Sequence, residues 1–253
     1  MKILTLCYEY PPLGGGAGRV AKSIAEGLAA RGHEVRFQTG GMPHLPKFEH
    51  IDGVDVHRTN SFRKREEACS VFEMGLFVLT SFLPTLRHLR TWRPDVMHVH
   101  LAVPTGALAF AAYRVSGVPY VITAHLGDVP GALPEQTDYL FRRLGSFIRP
   151  IWKNAARISA VSDFVRGLAE RAYGREVTTI FNAIDLQNVP TGPVCVGQPL
   201  HFISVGRFNP QKNFVFLVET LASIADLDWR LTIVGDGADM EAVRAAVARH
   251  GLE

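Results

Sequence analysis

The sequence predicts an α/β fold, a doubly wound parallel sheet followed by the start of a second sheet of the same kind. Three observations carry this. Short apolar runs rich in β-branched residues alternate with longer runs of helical period. The connections are short, which suits right-handed crossovers and a parallel sheet covered on both faces. One stretch rich in proline and glycine, Asn188–Pro199, interrupts the rhythm, and the rhythm then restarts.

The first strand is expected at Ile3–Tyr8, an apolar run stopped by Pro11-Pro12 and then glycine. Ala17–Arg31 repeats apolar residues at Val20, Ile24 and Leu28, a helix ended by Gly32. Strands follow at Glu34–Thr39 and, more weakly, Val54–Thr59. Val71–Leu89 reads as a helix with Pro84 as a kink or break. Asp95–His100 is a strand, Thr105–Val115 a helix closed by Gly117, and Tyr120–Ala124 a strand opening into a polar loop, His125–Pro134. Asp138–Ala155 is helical, Arg157–Val161 a strand, Asp163–Tyr173 a helix and Val177–Phe181 the last strand of the series. After the break come Phe202–Val205, Lys212–Ala225, Arg230–Val234 and Ala238–His250, alternately strand and helix. The division expected is a domain over 1–187, a linker over 188–200, and the start of a second domain over 201–253.

Composition excludes several classes. The chain has 253 residues, 47% hydrophobic and 20% charged, with a net charge of +3. Its charge is too small and too scattered for a nucleic-acid protein. Met1-Lys2 runs straight into a short strand, so no secretory leader is read, and no apolar run approaches the roughly 20 residues of a membrane span. Cys7, Cys69 and Cys195 lie far apart, an odd set that fits a reducing, cytoplasmic compartment and no metal or redox spacing.

In a doubly wound sheet, ligands bind beyond the carboxyl ends of the strands. The chemistry-bearing residues are therefore sought just after Tyr8, Thr39, His100, Ala124, Val161 and Phe181. After the first strand comes Gly14-Gly15-Gly16-Ala17-Gly18, a loop that lets a ligand approach the backbone at a helix N-terminus. It reads as a phosphate or sugar-phosphate cradle in preference to a mere surface loop. Gly16 to Ala21 fits G-x-G-x-x-A, but the second strand ends Phe37-Gln38-Thr39-Gly40 with no acid to hold a ribose, which argues against NAD. His98 and His100 share a strand face, but no Cys, Asp or Glu cluster completes a metal site, so they read as strand-end residues in a polar cleft. His125 opens the loop after Tyr120–Ala124, where it can hydrogen-bond a substrate hydroxyl or move a proton. Arg207 and Lys212 flank a strand-to-helix turn, a fork and a point charge suited to a diphosphate. Gly235-Asp236-Gly237 repeats that logic one unit later, with Asp236 an acceptor for a base or ribose.

Together these pieces resemble the retaining glycosyltransferases of the GT-B fold, specifically the family 4 group. The likeness rests on Pro11-Pro12 through Gly16, Arg31-Gly32-His33-Glu34-Val35, Asp95 through His100, Thr123-Ala124-His125 and Ser159-Ala160-Val161-Ser162. It continues through Ile180-Phe181-Asn182-Ala183-Ile184-Asp185, Val205-Gly206-Arg207 with Lys212, and Ile233 through Gly237. The resemblance implies two Rossmann-like domains: an N-terminal one for the acceptor and a C-terminal one for a nucleotide-sugar donor such as a UDP- or GDP-sugar. It implies transfer without a metal to a glycan, lipid-linked or small-molecule acceptor. By similarity, Gly15 and Gly16 lie near the donor phosphates and the acceptor. His125 bonds the donor sugar, Arg207 and Lys212 neutralise the diphosphate, Asn182 belongs to the substrate-binding set, and Gly235, Asp236 and Gly237 lie toward the nucleotide.

The sequence departs from the family pattern at Ala183, where glycine is usual, and at Asn213, another common glycine position. It also lacks the family's Glu-x7-Glu segment. This implies a fragment with weak or no activity alone. The alternative is a non-catalytic acceptor-binding module, and a dinucleotide oxidoreductase is the least supported reading. Arg63-Lys64-Arg65 and Arg87, Arg90 and Arg93 flank the apolar helix. They suit peripheral contact with an anionic membrane at its inner face, although a solvated face over a core helix is the reading the sequence favours.

Overall fold

The computed structural model describes residues 1–184, 192, 197 and 199–253, apart from the side chains of residues 134–137 and 140. Most of the Asn188–Pro199 stretch, with Cys195 and Asp185, therefore lies outside the described residues. The chain divides into two compact units, Met1–Ile184 and Asp185–Glu253.

The first unit is built on eight strands: β1 Lys2–Leu6, β2 Glu34–Gly41, β3 Phe48–Ile51, β4 Val54–Asn60, β5 Val96–His100, β6 Tyr120–Ala124, β7 Arg157–Ala160 and β8 Thr178–Thr179. They form one sheet in the order β3-β4-β2-β1-β5-β6-β7-β8. All neighbours are parallel except β3, which runs antiparallel to β4. Ile3 of β1 stands opposite Val35 of β2 on one side and Val96 of β5 on the other. The strand order reverses there, at the β1/β5 switch point.

The helices are α1 Gly16–Ala30, α2 Val71–Thr91, α3 Thr105–Ser116, α4 Pro134–Asn154 and α5 Asp163–Tyr173. Helix α2 begins at a reciprocal cap. Ser70 Oγ accepts from the Glu73 N–H at 3.3 Å, and the Glu73 carboxylate accepts from the Ser70 N–H at 2.7 Å. Leu4, Met97, Ala109, Ile122, Trp152 and Ile158 belong to a fully or nearly fully buried core among α3, α4 and α5. Trp152 stacks on Tyr173 with ring centroids 4.2 Å apart.

Several expectations need correcting. Pro84 lies inside an unbroken α2, so the break does not occur. Helix α4 starts at Pro134, four residues ahead of the sequence expectation, because proline is well placed in a first turn. The last strand shrinks to Thr178–Thr179, with Ile180 and Phe181 exposed. Strand β3 has no counterpart in the sequence pattern, since its side chains alternate between exposed and half-buried without an apolar repeat. Its signal was the turn: Asp52 and Gly53, φ 47° and 80°, form the two-residue Asp-Gly loop that favours a hairpin.

Coverage on both faces also fails in part. Strands β6 and β7 turn Tyr120, Ile122, Ala124, Ile158 and Ala160 into the core. Their alternate residues Val121, Thr123, Arg157 and Ser159 instead line an open cavity of about 780 Å³ beside α1.

The second unit holds β9 Leu200–Val205 and β10 Trp229–Val234, parallel, with Leu200 opposite Trp229. Helices α6 Phe214–Ala222 and α7 Met240–Arg249 pack with them around Phe208, Phe214, Val218, Val243 and Ala246.

Candidate active site

In the first unit the carboxyl ends of β5, β6 and β7 gather a buried polar group. Strand alternation puts His98 and His100 on one face, with ring centroids 4.3 Å apart. His98 Nε2 lies 2.9 Å from Thr123 Oγ1, which lies 3.1 Å from Ser159 Oγ. His100 Nδ1 lies 3.3 Å from His125 Nε2. Burial lowers His98 and His125 to about 4, the former helped by the neighbouring His125, and holds His100 well below its ordinary value. All three rings are therefore neutral near pH 7. Each then offers one N–H and one lone pair, which suits a sugar hydroxyl better than an anion. Among the described residues no group of three His, Cys, Asp or Glu is arranged to hold a metal ion.

Asp128 positions His125. One carboxylate oxygen accepts from the His125 N–H at 2.7 Å and the other from the Val103 N–H at 3.1 Å. Burial raises its pKa to about 7 despite those donors. The sequence alone gives Asp128 no role. An acid three residues beyond a strand-end histidine, in a turn over Leu126–Asp128, is the signal that was there to read.

The glycine loop differs from the open cradle expected of it. Gly14 takes φ 88° and bends the chain back so that a Cβ there would overlap the Glu9 side chain. The Glu9 carboxylate then accepts from the Gly15 N–H at 3.0 Å. The chain's own anion thus occupies the first amide of the loop, drawn by the positive end of α1. A Cβ on Gly15 or Gly16 would meet nothing within 4 Å, so both face open space.

Asn182 lies apart from His125. It lines the 780 Å³ cavity together with Ala183, whereas His125 does not; His98 lines that cavity and leads through His100 to His125. Ala183 takes no positive φ, so an alanine in place of glycine carries no strain there.

In the second unit the loops after β9 and β10 lock together. Gly206 N–H donates to Val234 at 3.0 Å and Phe208 N–H to Asp236 at 2.8 Å, both to carbonyl oxygens. Gly235 and Gly237 sit at φ 152° and 153°, and a Cβ on either would overlap the Gly206 or Phe208 backbone. The close approach their glycines permit is therefore to the chain itself. The Asp236 carboxylate accepts from the Gly237 N–H at 2.7 Å. Arg207 and Lys212 are exposed at the strand-to-helix turn and form no ion pair among the described residues. Lys212 lies with its aliphatic stem over Gly206. Asn213, at φ 49°, adopts the left-handed conformation, which asparagine tolerates, and caps α6, its Oδ1 accepting from Phe216 N–H at 3.4 Å.

Comparison with known proteins decides the family. The model of Glycosyltransferase Family 4 matches residues 14–188. The chain belongs to glycosyltransferase family 4. A glycogen synthase of Mycobacterium tuberculosis is 30% identical over 95% of this chain and 63% of its own length. The N-acetyl-alpha-D-glucosaminyl L-malate synthase of Bacillus anthracis is 26% identical over 94% of this chain and 62% of its own. The chain thus spans less than two thirds of these relatives. Among solved structures, sucrose-phosphate synthase from Thermosynechococcus elongatus superposes with a TM-score of 0.74 at 19% identity, covering 99% of this chain and 68% of that one. That likeness establishes the GT-B fold for this family 4 chain. No helix among the described residues is long and apolar enough to cross a membrane.

Proposed function

We propose that this family 4 protein takes part in moving a sugar from a nucleoside-diphosphate donor, such as a UDP- or GDP-sugar, to a glycan, lipid-linked or small-molecule acceptor. Transfer retains the anomeric configuration, needs no metal and takes place in the cytoplasm. The observation that carries the reading is the pair Arg207 and Lys212: two exposed cations without an ion pair among the described residues, at the carboxyl end of β9 where α6 is about to begin.

The bond from the anomeric carbon to the diphosphate oxygen breaks, and charge grows on the departing diphosphate. Fixed cations stabilise that charge more than the ground state, which lowers the barrier. They take the place a metal ion fills in other transferases. Neutral His125, held by Asp128, hydrogen-bonds a hydroxyl of the donor sugar. Gly15 and Gly16 leave room for the phosphates and the acceptor, Asn182 contributes to substrate binding, and the Gly235–Gly237 loop faces the nucleotide.

The 253-residue chain alone is proposed to turn over weakly, since the second unit offers the donor two strands among the described residues. The same observation favours a second reading, a binding module without turnover. Thermal shift with UDP, GDP, ADP and NAD, followed by a transfer assay, separates the two. UDP or GDP should raise the melting temperature increasingly with concentration, and Arg207→Ala with Lys212→Ala should abolish the rise. Nucleotide binding without transfer supports the second reading. A shift with NAD alone, or none with any nucleotide, overturns the donor assignment.

A further inference from the structure

Helix α2 carries an apolar stripe that the fold leaves uncovered. Phe72, Leu79 and Leu83 are 75%, 72% and 73% exposed, and Phe147 on α4 is 75% exposed. Between the two helices lies a groove of about 600 Å³, floored by Ala102, Val103 and Pro104 and lined by no charged side chain. An apolar patch of this kind marks an interaction surface more often than chance exposure.

Its border is cationic. Phe72 and Leu76 line this groove and also a second hollow that contains Lys64 and Arg65. At the other end of α2, Arg87 and Arg90 follow Leu83 by four and seven residues, on the same helical face. On α4, Arg143 stands one turn before Phe147. All five cations are exposed, and none forms an ion pair among the described residues. Acids are turned away. The only acid of α2 is Glu73, whose carboxylate is spent on the N–H groups of Ser70 and Lys64. Asp138 accepts from Gly131 N–H and lines a different hollow. Arg63, expected in the basic flank, is instead buried, donating to the carbonyls of Tyr8 and Glu66.

We propose that the α2–α4 face docks the protein on an anionic lipid bilayer. Phe72, Leu79, Leu83 and Phe147 would enter the boundary between headgroups and acyl chains, and Lys64, Arg65, Arg87, Arg90 and Arg143 would meet lipid phosphates. Protruding apolar side chains bordered by cations that outnumber the nearby acids match such a surface in both respects. A groove for a second copy of this chain would need free acids opposite those cations, whereas Glu73 and Asp138 are held by backbone N–H groups and Glu66 by His44, which leaves exposed Glu67 beside Arg65. The inference does not rest on sugar transfer, and its readout is independent of nucleotide binding.

Co-sedimentation of the chain with vesicles of phosphatidylcholine, with and without phosphatidylglycerol, tests it. Binding is expected to need phosphatidylglycerol and to weaken with added salt. Arg87→Glu with Arg90→Glu should weaken partitioning by about tenfold or more. Leu83→Ser with Phe147→Ser should weaken it without removing the salt dependence. All four positions are exposed, so circular dichroism and the melting temperature should stay as in the parent. Equal binding to neutral and anionic vesicles overturns the proposal, as do variants that bind like the parent. So does a dimer in vesicle-free solution that the Leu83 and Phe147 substitutions dissociate.

Discussion

The two units follow one βα rhythm and end in different states. In the first, Leu4 and Leu6 of β1 are fully buried, with neighbouring strands on both sides. In the second, Ile203 and Val205 of β9 are 67% and 71% exposed, although the run is as apolar as β1. The residues do not differ in kind; the neighbours do. A parallel strand rich in Val and Ile is stable when helices cover both faces and strands flank both edges. With one neighbour, β10, and helices α6 and α7, β9 has half of that. An apolar strand pattern thus predicts a strand, while burial is decided by how many strands surround it.

The largest effect expected from this contrast comes from matched substitutions. Phe77 and Phe214 are both buried, one in the first unit and one in the second. Phe77→Ala should cost the first unit about 3–5 kcal/mol. Phe214→Ala removes one of the few buried apolar side chains of the small cluster, so it should unfold the second unit and leave the first unit's midpoint unchanged. Urea unfolding followed by hydrogen exchange in each unit reads both. A single transition that both substitutions shift by the same amount would show the two units to be one cooperative body.

The next effect is a pH dependence rooted in the first unit. His98, His100 and His125, together with His57 and His88, are held below the ordinary histidine value of 6.5, chiefly by burial. Above that pH these groups are neutral in both states and contribute no slope. As pH falls from about 6.5 toward about 4, the unfolded chain takes up protons that the folded chain does not, and stability drops. Asp128, raised to about 7, acts in the opposite sense: protonated when folded, it gains stability as pH falls from about 7 toward its unfolded value. Five histidines against one aspartate leave a net loss of stability. Melting of the first unit at pH 7, 6, 5 and 4.5 measures it. A flat profile would mean that the rings are hydrated, against their burial here.

Much of this molecule was legible in advance, for reasons tied to particular residues. Periodicity marked α1 and α2 because their apolar faces repeat every three to four positions. Position marked His125, because a histidine at a strand's carboxyl end in this sheet has few other places to face. The glycines at 235 and 237 announced a close approach, yet nothing local says whether a ligand or the Phe208 backbone makes it. Arg63 looked like part of a solvated run; only the fold reveals the Tyr8 and Glu66 carbonyls that satisfy it within the protein. Glu9 closes on Gly15 across six residues, a contact set by the positive φ of Gly14 and invisible to composition.

The smallest expected effect sharpens the contrast at one residue of the second unit. Asn213 stands where glycine is common in this family, and it does two things at once. Its backbone sits at φ 49°, ψ 49°, and its side chain accepts from Phe216 N–H to start α6. Asn213→Gly keeps the conformation and loses the cap, so the two changes should offset each other to within about 0.5 kcal/mol. Asn213→Ala loses the cap and strains the left-handed backbone, so it should cost the second unit about 1–2 kcal/mol. Because α6 packs on the small cluster around Phe208 and Phe214, that loss should register in hydrogen exchange of β9 and β10 and leave β1 and β5 untouched. If alanine were tolerated as well as glycine, the turn carrying Lys212 would not be held by its backbone. The placement of that cation beside Gly206 would then owe nothing to the asparagine next to it.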